Sequence, residues 1–233
     1  MAGTIIMTNP TLLIIAGVGP GNPELVTLEA LHEAEISDVI IAPRSKIDEA
    51  GIAERVILHH LPGRIITPIY FPMTRDSVKR DEIIRSQIED IMENLEGRRI
   101  FFPVIGDSVI YSTGAYLIDA LKPADVKFIP GISAHSVASS CAKRFLAMSD
   151  EILTIIPGTA SRKKIAMAIE HSDSVAIYKP TAIHDIRSLI DSSKFSRIIR
   201  VEHAGISERE RIFEGEEALN DVDEYMSVII LHR

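Results

Sequence analysis

The chain has 233 residues, 46% of them hydrophobic and 25% charged, and carries a formal net charge of -8 from 33 acidic against 25 basic side chains. That length sustains one large domain or two compact ones, and that apolar fraction argues against disorder. The acidic balance excludes a whole-surface attraction for nucleic acid or anionic membrane, while leaving room for a local basic pocket. Cys141 is the only cysteine, which excludes an intrachain disulfide or a cysteine-cluster metal site and favours a small helix side chain over a nucleophile. No apolar run reaches the roughly 18 residues of a membrane span, and the first ten residues lack a signal-like pattern. A soluble cytoplasmic protein is the expectation.

Met1 to Pro10 reads as a loose leader. Leu12 to Ala16 is an apolar run of the kind that forms a buried parallel strand, and Leu25 to Ile36 is periodic enough for a helix. Between them lies Gly17-Val18-Gly19-Pro20-Gly21-Asn22-Pro23-Glu24, a glycine-rich turn that lets backbone approach a ligand closely or serves only as a tight connection. Pro20 follows the second glycine, so the stretch departs from the dinucleotide fingerprint. Asp38 to Ala42 is the next strand, ended by Pro43, with Arg44, Ser45 and Lys46 where it releases the chain. Ile47 to Pro68 shows no clear pattern. The adjacent His59 and His60 would point oppositely in an extended segment, so no metal is expected there.

Ile65 to Phe71 predicts a strand and Ser77 to Leu95 a helix closed by Gly97. Arg99 to Val104 is a strand leading into Ile105-Gly106-Asp107-Ser108-Val109-Ile110-Tyr111-Ser112, a second ligand-loop candidate in which Asp107 either meets a ligand or caps the following helix. Thr113 to Leu121 predicts a short helix. Lys122-Pro123-Ala124-Asp125 is the best turn between two halves, placing a parallel-sheet α/β domain over 1–122 and a mixed-sheet α/β domain over 123–233. Val126 to Ile129 is a strand ending in Pro130-Gly131-Ile132-Ser133-Ala134, where Ser133 is a ligand residue or an N-cap for a helix over Ala134 to Phe145. Later strands are expected at Ile152 to Ile156, Ser174 to Tyr178, Arg197 to Val201, Arg211 to Phe213 and Tyr225 to Leu231. A lysine-rich helix follows Pro157-Gly158-Thr159, and another is expected over Ile183 to Ile190.

The three loops at Gly17–Glu24, Gly106–Tyr111 and Pro130–Ser133 resemble, in order, the three signatures of the tetrapyrrole methylases. Asn22 stands where that family often has an acidic residue, and Ser108 where it usually has proline. The resemblance runs from Leu12 to Leu231 and includes Ala176-Ile177-Tyr178-Lys179 and His203-Ala204-Gly205-Ile206. It implies an α/β, two-domain fold with S-adenosylmethionine bound in the cleft between the domains, S-adenosylhomocysteine as product, and a homodimer. Pro68 to Asp76 and Glu151 to Thr159 look like the precorrin-2 C20-methyltransferases of corrinoid, or vitamin B12, synthesis.

By that resemblance the cofactor region comprises Pro20, Asp107, Ile110, Ser133, Ala134, Tyr178, Ala204 and Met226. The tetrapyrrole substrate is a polyanion, so Arg44, Lys46 and Arg75 are its candidate cations. The methyl donor is already electrophilic, which reduces the protein's tasks to alignment and water exclusion. Asp107 and Tyr111 are the candidate bases, no covalent nucleophile is required, and no protein-bound metal is expected. The alternatives are methylation of another ring carbon, a protein methylation like that of diphthine synthase, and a noncatalytic cofactor-binding module.

Overall fold

The computed structural model describes residues 12–72, 74, 76–91, 95, 97–121, 125–180, 187–221 and 224–233. The leader, Arg75, the turn expected at 122–124 and the first half of the helix expected over Ile183 to Ile190 lie outside these residues. The chain divides into two compact units, Met1–Ile132 and Ser133–Arg233.

The first unit is a five-stranded sheet in the order β3-β2-β4-β1-β5, with every pairing parallel. Its strands are β1 (Leu12–Gly17), β2 (Val39–Arg44), β3 (Ile66–Tyr70), β4 (Arg99–Val104) and β5 (Asp125–Ile129). The helices are α1 (Leu28–Ile36), α2 (Ile52–His60), α3 (Ser77–Ile91) and α4 (Gly114–Ala120). Alternate residues of each strand face opposite sides. Ile14, Ala16, Ile40 and Phe101 pack with Ala30 and Ala34 of α1 and Val56 and Ile57 of α2. Leu13, Ile15, Ile41 and Phe102 pack on the other face with Ile84 and Ile88 of α3 and Leu117 of α4. The sheet is therefore doubly wound. At the edge where the strands begin, Glu33 of α1 is nearly buried and takes Arg99 and, at 3.0 Å, Lys127.

β5 pairs with β1, so it belongs to the first sheet. The units consequently part at Ile132/Ser133, later than the 122/123 turn marked by the sequence. Other boundaries also moved for identifiable reasons. β2 runs through Pro43, because its ladder to β4 ends at Ile40 and the missing N–H has no partner to lose there. Residues Pro23–Leu25 form a separate 3-10 turn, and α1 begins only after Thr27, whose hydroxyl accepts the Ala30 N–H at 3.2 Å. The patternless Ile47 to Pro68 stretch contains α2, which places His59 and His60 on a helix. His60 Nε2 bonds the Pro23 carbonyl oxygen at 2.9 Å.

The second unit has a mixed sheet in the order β6-β7-β10-β8-β9. It comprises β6 (Leu153–Pro157), β7 (Ser174–Tyr178), β8 (Arg197–Glu202), β9 (Arg211–Glu214) and β10 (Ser227–His232), with only β6 and β7 parallel. α6 (Arg162–His171) covers one face through Ile165, Ala168 and Ile169. α5 (Ala134–Cys141) lies against β10 and β8. It stops well short of Phe145, since Lys143 turns to φ 54 and the Arg144 N–H bonds back to the Ser139 carbonyl at 3.0 Å.

Candidate functional site

β4, β1 and β5 are neighbours and run the same way, so their C-terminal ends share one edge. The helices following β1 and β4 leave on opposite faces of the sheet, which opens a crevice at the ends of these two strands. Glycines line it. A Cβ on Gly17 would sit 2.5 Å from the Gly106 carbonyl oxygen and 2.6 Å from the Gly131 nitrogen, and one on Gly131 would sit 2.3 Å from the same oxygen. The three loops thus touch backbone to backbone, which any side chain would prevent. Gly19 and Gly106 also exchange two hydrogen bonds, 3.2 Å and 2.8 Å long, as an isolated antiparallel bridge.

Gly106 is buried, yet a Cβ there would meet nothing within 4 Å. Open space therefore remains beside its main chain. Pro20 is buried next to the bridge. Asn22, in place of the usual acid, accepts the Glu24 N–H at 3.0 Å and caps the 3-10 turn. Asp107 accepts the Val109 N–H at 2.9 Å, closing a tight turn well before α4 begins, so it does not cap that helix. Ser108 is only 2% exposed, and its hydroxyl has no hydrogen-bond partner among the described residues. Ile110 is half-buried. Tyr111 is about half exposed and adopts φ 49, and partial desolvation pushes its phenol above the ordinary value of 10.0.

The candidate cations behave differently from one another. Arg44 closes β2 and grips Glu54 bidentately, Nε to Oε2 at 2.7 Å and Nη2 to Oε1 at 2.6 Å. Its remaining Nη1 donates to the Ile47 carbonyl at 3.2 Å. Burial raises the Glu54 carboxyl, but Arg44 and the Gly51 N–H outweigh that and hold it below its ordinary value. The guanidinium is thus committed to fastening the 45–51 loop, and is not the open strand-end cation the sequence suggested. Lys46 is exposed beside Glu49 at 2.6 Å. Arg75 lies outside the described residues.

Five candidates fall in the second unit: Ser133, Ala134, Tyr178, Ala204 and Met226. Ser133 occupies the N-cap position of α5, but its side chain makes no cap bond. The helix start is held instead by Tyr178, whose hydroxyl accepts the His135 N–H at 3.1 Å and lies 2.7 Å from His135 Nδ1. Ala204 and Met226 are tied by the His203 N–H bonding the Met226 carbonyl at 2.8 Å, and the Lys179 N–H bonds the Ser227 carbonyl at 3.2 Å. The ends of β7 and β8, the start of β10 and the start of α5 therefore bring these residues onto one edge of the unit. His203 Nε2 lies 2.8 Å from Glu224 Oε2. Burial raises the Glu224 carboxyl, while His203 and the Met226 N–H lower it further than that.

Lys179 and His203 adopt φ 52 and 47. With Tyr111, this places a left-handed non-glycine residue directly beside each of Ile110, Tyr178 and Ala204, each costing about 1–2 kcal/mol. Sequence reasoning missed His135, Glu54 and Glu224. Glu54 alone left a signal, since an acid three residues after Gly51 marks a helix start, and its carboxylate takes the Gly51 N–H at 3.1 Å.

A doubly wound sheet with glycine loops at its strand ends, followed by a mixed-sheet unit with its own cluster of strained loop residues, is the architecture of the chain. Residues 12–219 match the tetrapyrrole (corrin/porphyrin) methylases, and the chain belongs to that family. It is accordingly an S-adenosylmethionine-dependent tetrapyrrole methyltransferase. The chain is 28% identical over 222 residues to a probable cobalt-precorrin-2 C20-methyltransferase of Methanocaldococcus jannaschii, covering 93% of this chain and 94% of that one. It is 29% identical over 180 residues to the precorrin-2 C20-methyltransferase of a Sinorhizobium species, covering 72% of each. Its fold matches the uroporphyrin-III C-methyltransferase of Thermus thermophilus, solved with S-adenosylhomocysteine, at a TM-score of 0.67 and 18% identity over 95% of this chain and 97% of that one.

Proposed function

We propose that the chain methylates C20 of precorrin-2 or cobalt-precorrin-2. The observation that carries this reading is similarity over most of the chain to C20-methyltransferases of both the cobalt-containing and the metal-free precursor.

The residues present fit the cofactor. The open space beside Gly106 would let a ligand approach bare main chain, and the Ser108 hydroxyl, without a hydrogen-bond partner among the described residues, lies in the same loop. Pro20, Asp107 and Ile110 of the first unit, and Ser133, Ala134, Tyr178, Ala204 and Met226 of the second, are the residues that would hold it. When bound, S-adenosylmethionine supplies an electrophilic methyl group on sulfonium. The chain's own work is positional: the bridged glycine loops set one wall, the Tyr178 hydroxyl fixes the start of α5, and the 203–205 and 224–226 loops are pinned by His203 and Glu224. Cys141 takes no part as a nucleophile. Burial, followed by Glu210 3.0 Å away, pushes its thiol up to about 11.

The test is anaerobic incubation with S-adenosylmethionine and each precursor in turn, with the new methyl located by mass spectrometry and carbon NMR. A methyl at C20 is expected, and the preferred precursor assigns the route. A methyl at another carbon would overturn the regiochemistry, and no transfer to either ring despite cofactor binding would overturn the substrate.

A further inference from the structure

If the substrate is a polyanionic ring, the first unit needs a cation that is not already committed. Arg44 is locked onto Glu54 and Ile47, and Lys46 is an exposed charge beside Glu49. Arg80 is neither. Its guanidinium lies over the ring of Tyr116, 4.7 Å from the centroid, with the side chain 22% exposed. Among the described residues the carboxylate nearest it is Asp81, 3.5 Å from Nε and itself half exposed. That is too long for a strong hydrogen bond, and the buried Nε has no hydrogen-bond partner among the described residues.

Its place in the fold is the strand-end edge. Gln87 of α3 brackets the last residue of β3, its Oε1 taking the Tyr70 N–H at 2.8 Å and its Nε2 donating to the Tyr70 carbonyl at 3.0 Å. Arg80 lies two turns nearer the start of α3, about 10 Å further along the helix at roughly 1.5 Å per residue. This takes it past the end of β3. Tyr116, on which it rests, is in the first turn of α4, immediately after the 105–112 loop, and its ring is 6.2 Å from that of Phe71 at the exit of β3. A stacked guanidinium keeps its planar fork of donors fixed with its edge turned away from the ring, which suits bidentate capture of a carboxylate.

We propose that Arg80, platformed on Tyr116, binds a peripheral carboxylate of the tetrapyrrole beside the cofactor loops and thereby contributes to substrate affinity and orientation. This inference rests on the proposed tetrapyrrole activity. The experiment compares wild type with Arg80→Ala, Arg80→Lys and Tyr116→Leu, reading KM and kcat for whichever precorrin-2 form is methylated, and Kd for S-adenosylhomocysteine by calorimetry. Arg80→Ala is expected to raise the tetrapyrrole KM about tenfold or more, the loss of one charge-assisted contact, and to leave cofactor Kd within about twofold. Arg80→Lys keeps the charge without the fork and falls between; Tyr116→Leu, which removes the platform, does likewise. An unchanged tetrapyrrole KM in Arg80→Ala, or a loss that appears equally in cofactor Kd, overturns the role of Arg80 while the activity stands. A wild type that methylates neither precursor overturns the activity itself, and the substrate role of Arg80 with it. Should Arg80→Ala fail to fold, Arg80→Lys and Arg80→Gln carry the same comparison.

Discussion

At the edge of the first unit, Gly17, Gly106 and Gly131 meet through backbone atoms, with side chains kept away. At the edge of the second, Tyr178, His135, His203 and Glu224 hold the loops through side-chain groups, and Lys179 and His203 carry left-handed strain. The two constructions fail in different ways. Main chain packed on main chain has no rotamer with which to relax, so one added carbon is felt by the whole sheet edge. A side-chain network loses one bond at a time.

The sharpest way to break this contrast is Gly131→Ala. With the Gly106 carbonyl oxygen 2.3 Å from the new carbon, a loss of about 3 kcal/mol or more is expected in urea unfolding, together with loss of S-adenosylhomocysteine binding. Gly106→Ala is its control, because the space there is open. It should cost about 1–2 kcal/mol from φ 76 alone, while still weakening the cofactor by filling that space. A stability loss as large as that of Gly131→Ala would refute the backbone seam.

Next comes Arg44→Ala, which strands the nearly buried Glu54 carboxylate and should cost about 2–3 kcal/mol at pH 7. Glu54 has a folded-state pKa below its ordinary 4.5. Its contribution is therefore complete above pH 4.5 and is lost as pH falls through the lower folded value. Wild type should lose more stability than Arg44→Ala between pH 5 and about pH 3, measured by unfolding at each pH; parallel losses would show that the pair is not what Arg44 contributes. The smallest effect is expected from Tyr178→Phe, which removes one hydroxyl from the start of α5. About 1 kcal/mol of stability should go, with a rise in KM for S-adenosylmethionine and little change in the tetrapyrrole KM. A loss matching that of Gly131→Ala would erase the distinction between the two edges.

The same contrast explains how much was legible in the sequence. Glycine loops after apolar runs advertise themselves, so the strands, the three loops and their order were readable, and Gly17, Gly106 and Gly131 came with them. The pairing of β5 with β1 is a long-range fact, and the turn at 122–125 gave no hint of it. α2 was hidden because Ala53, Val56 and Ile57 are its only fully buried apolar residues, too few to set a period against the histidines and the flanking proline. The side-chain partnerships were beyond reach, since His135 with Tyr178 and Arg44 with Glu54 join residues that sequence spacing does not relate. Arg44 looked like an open cation because its partner lies in the helix that went unread.

The bridge between Gly19 and Gly106 has a consequence for motion. Both residues lie beyond the ends of their strands, where amides ordinarily trade protons with water quickly. Here each amide is held by the other residue's carbonyl, so the two glycine amides should exchange as slowly as those within β1 and β4. The turn after β1 and the loop after β4 then open together or not at all, and a ligand arriving at this edge meets one wall instead of two flaps.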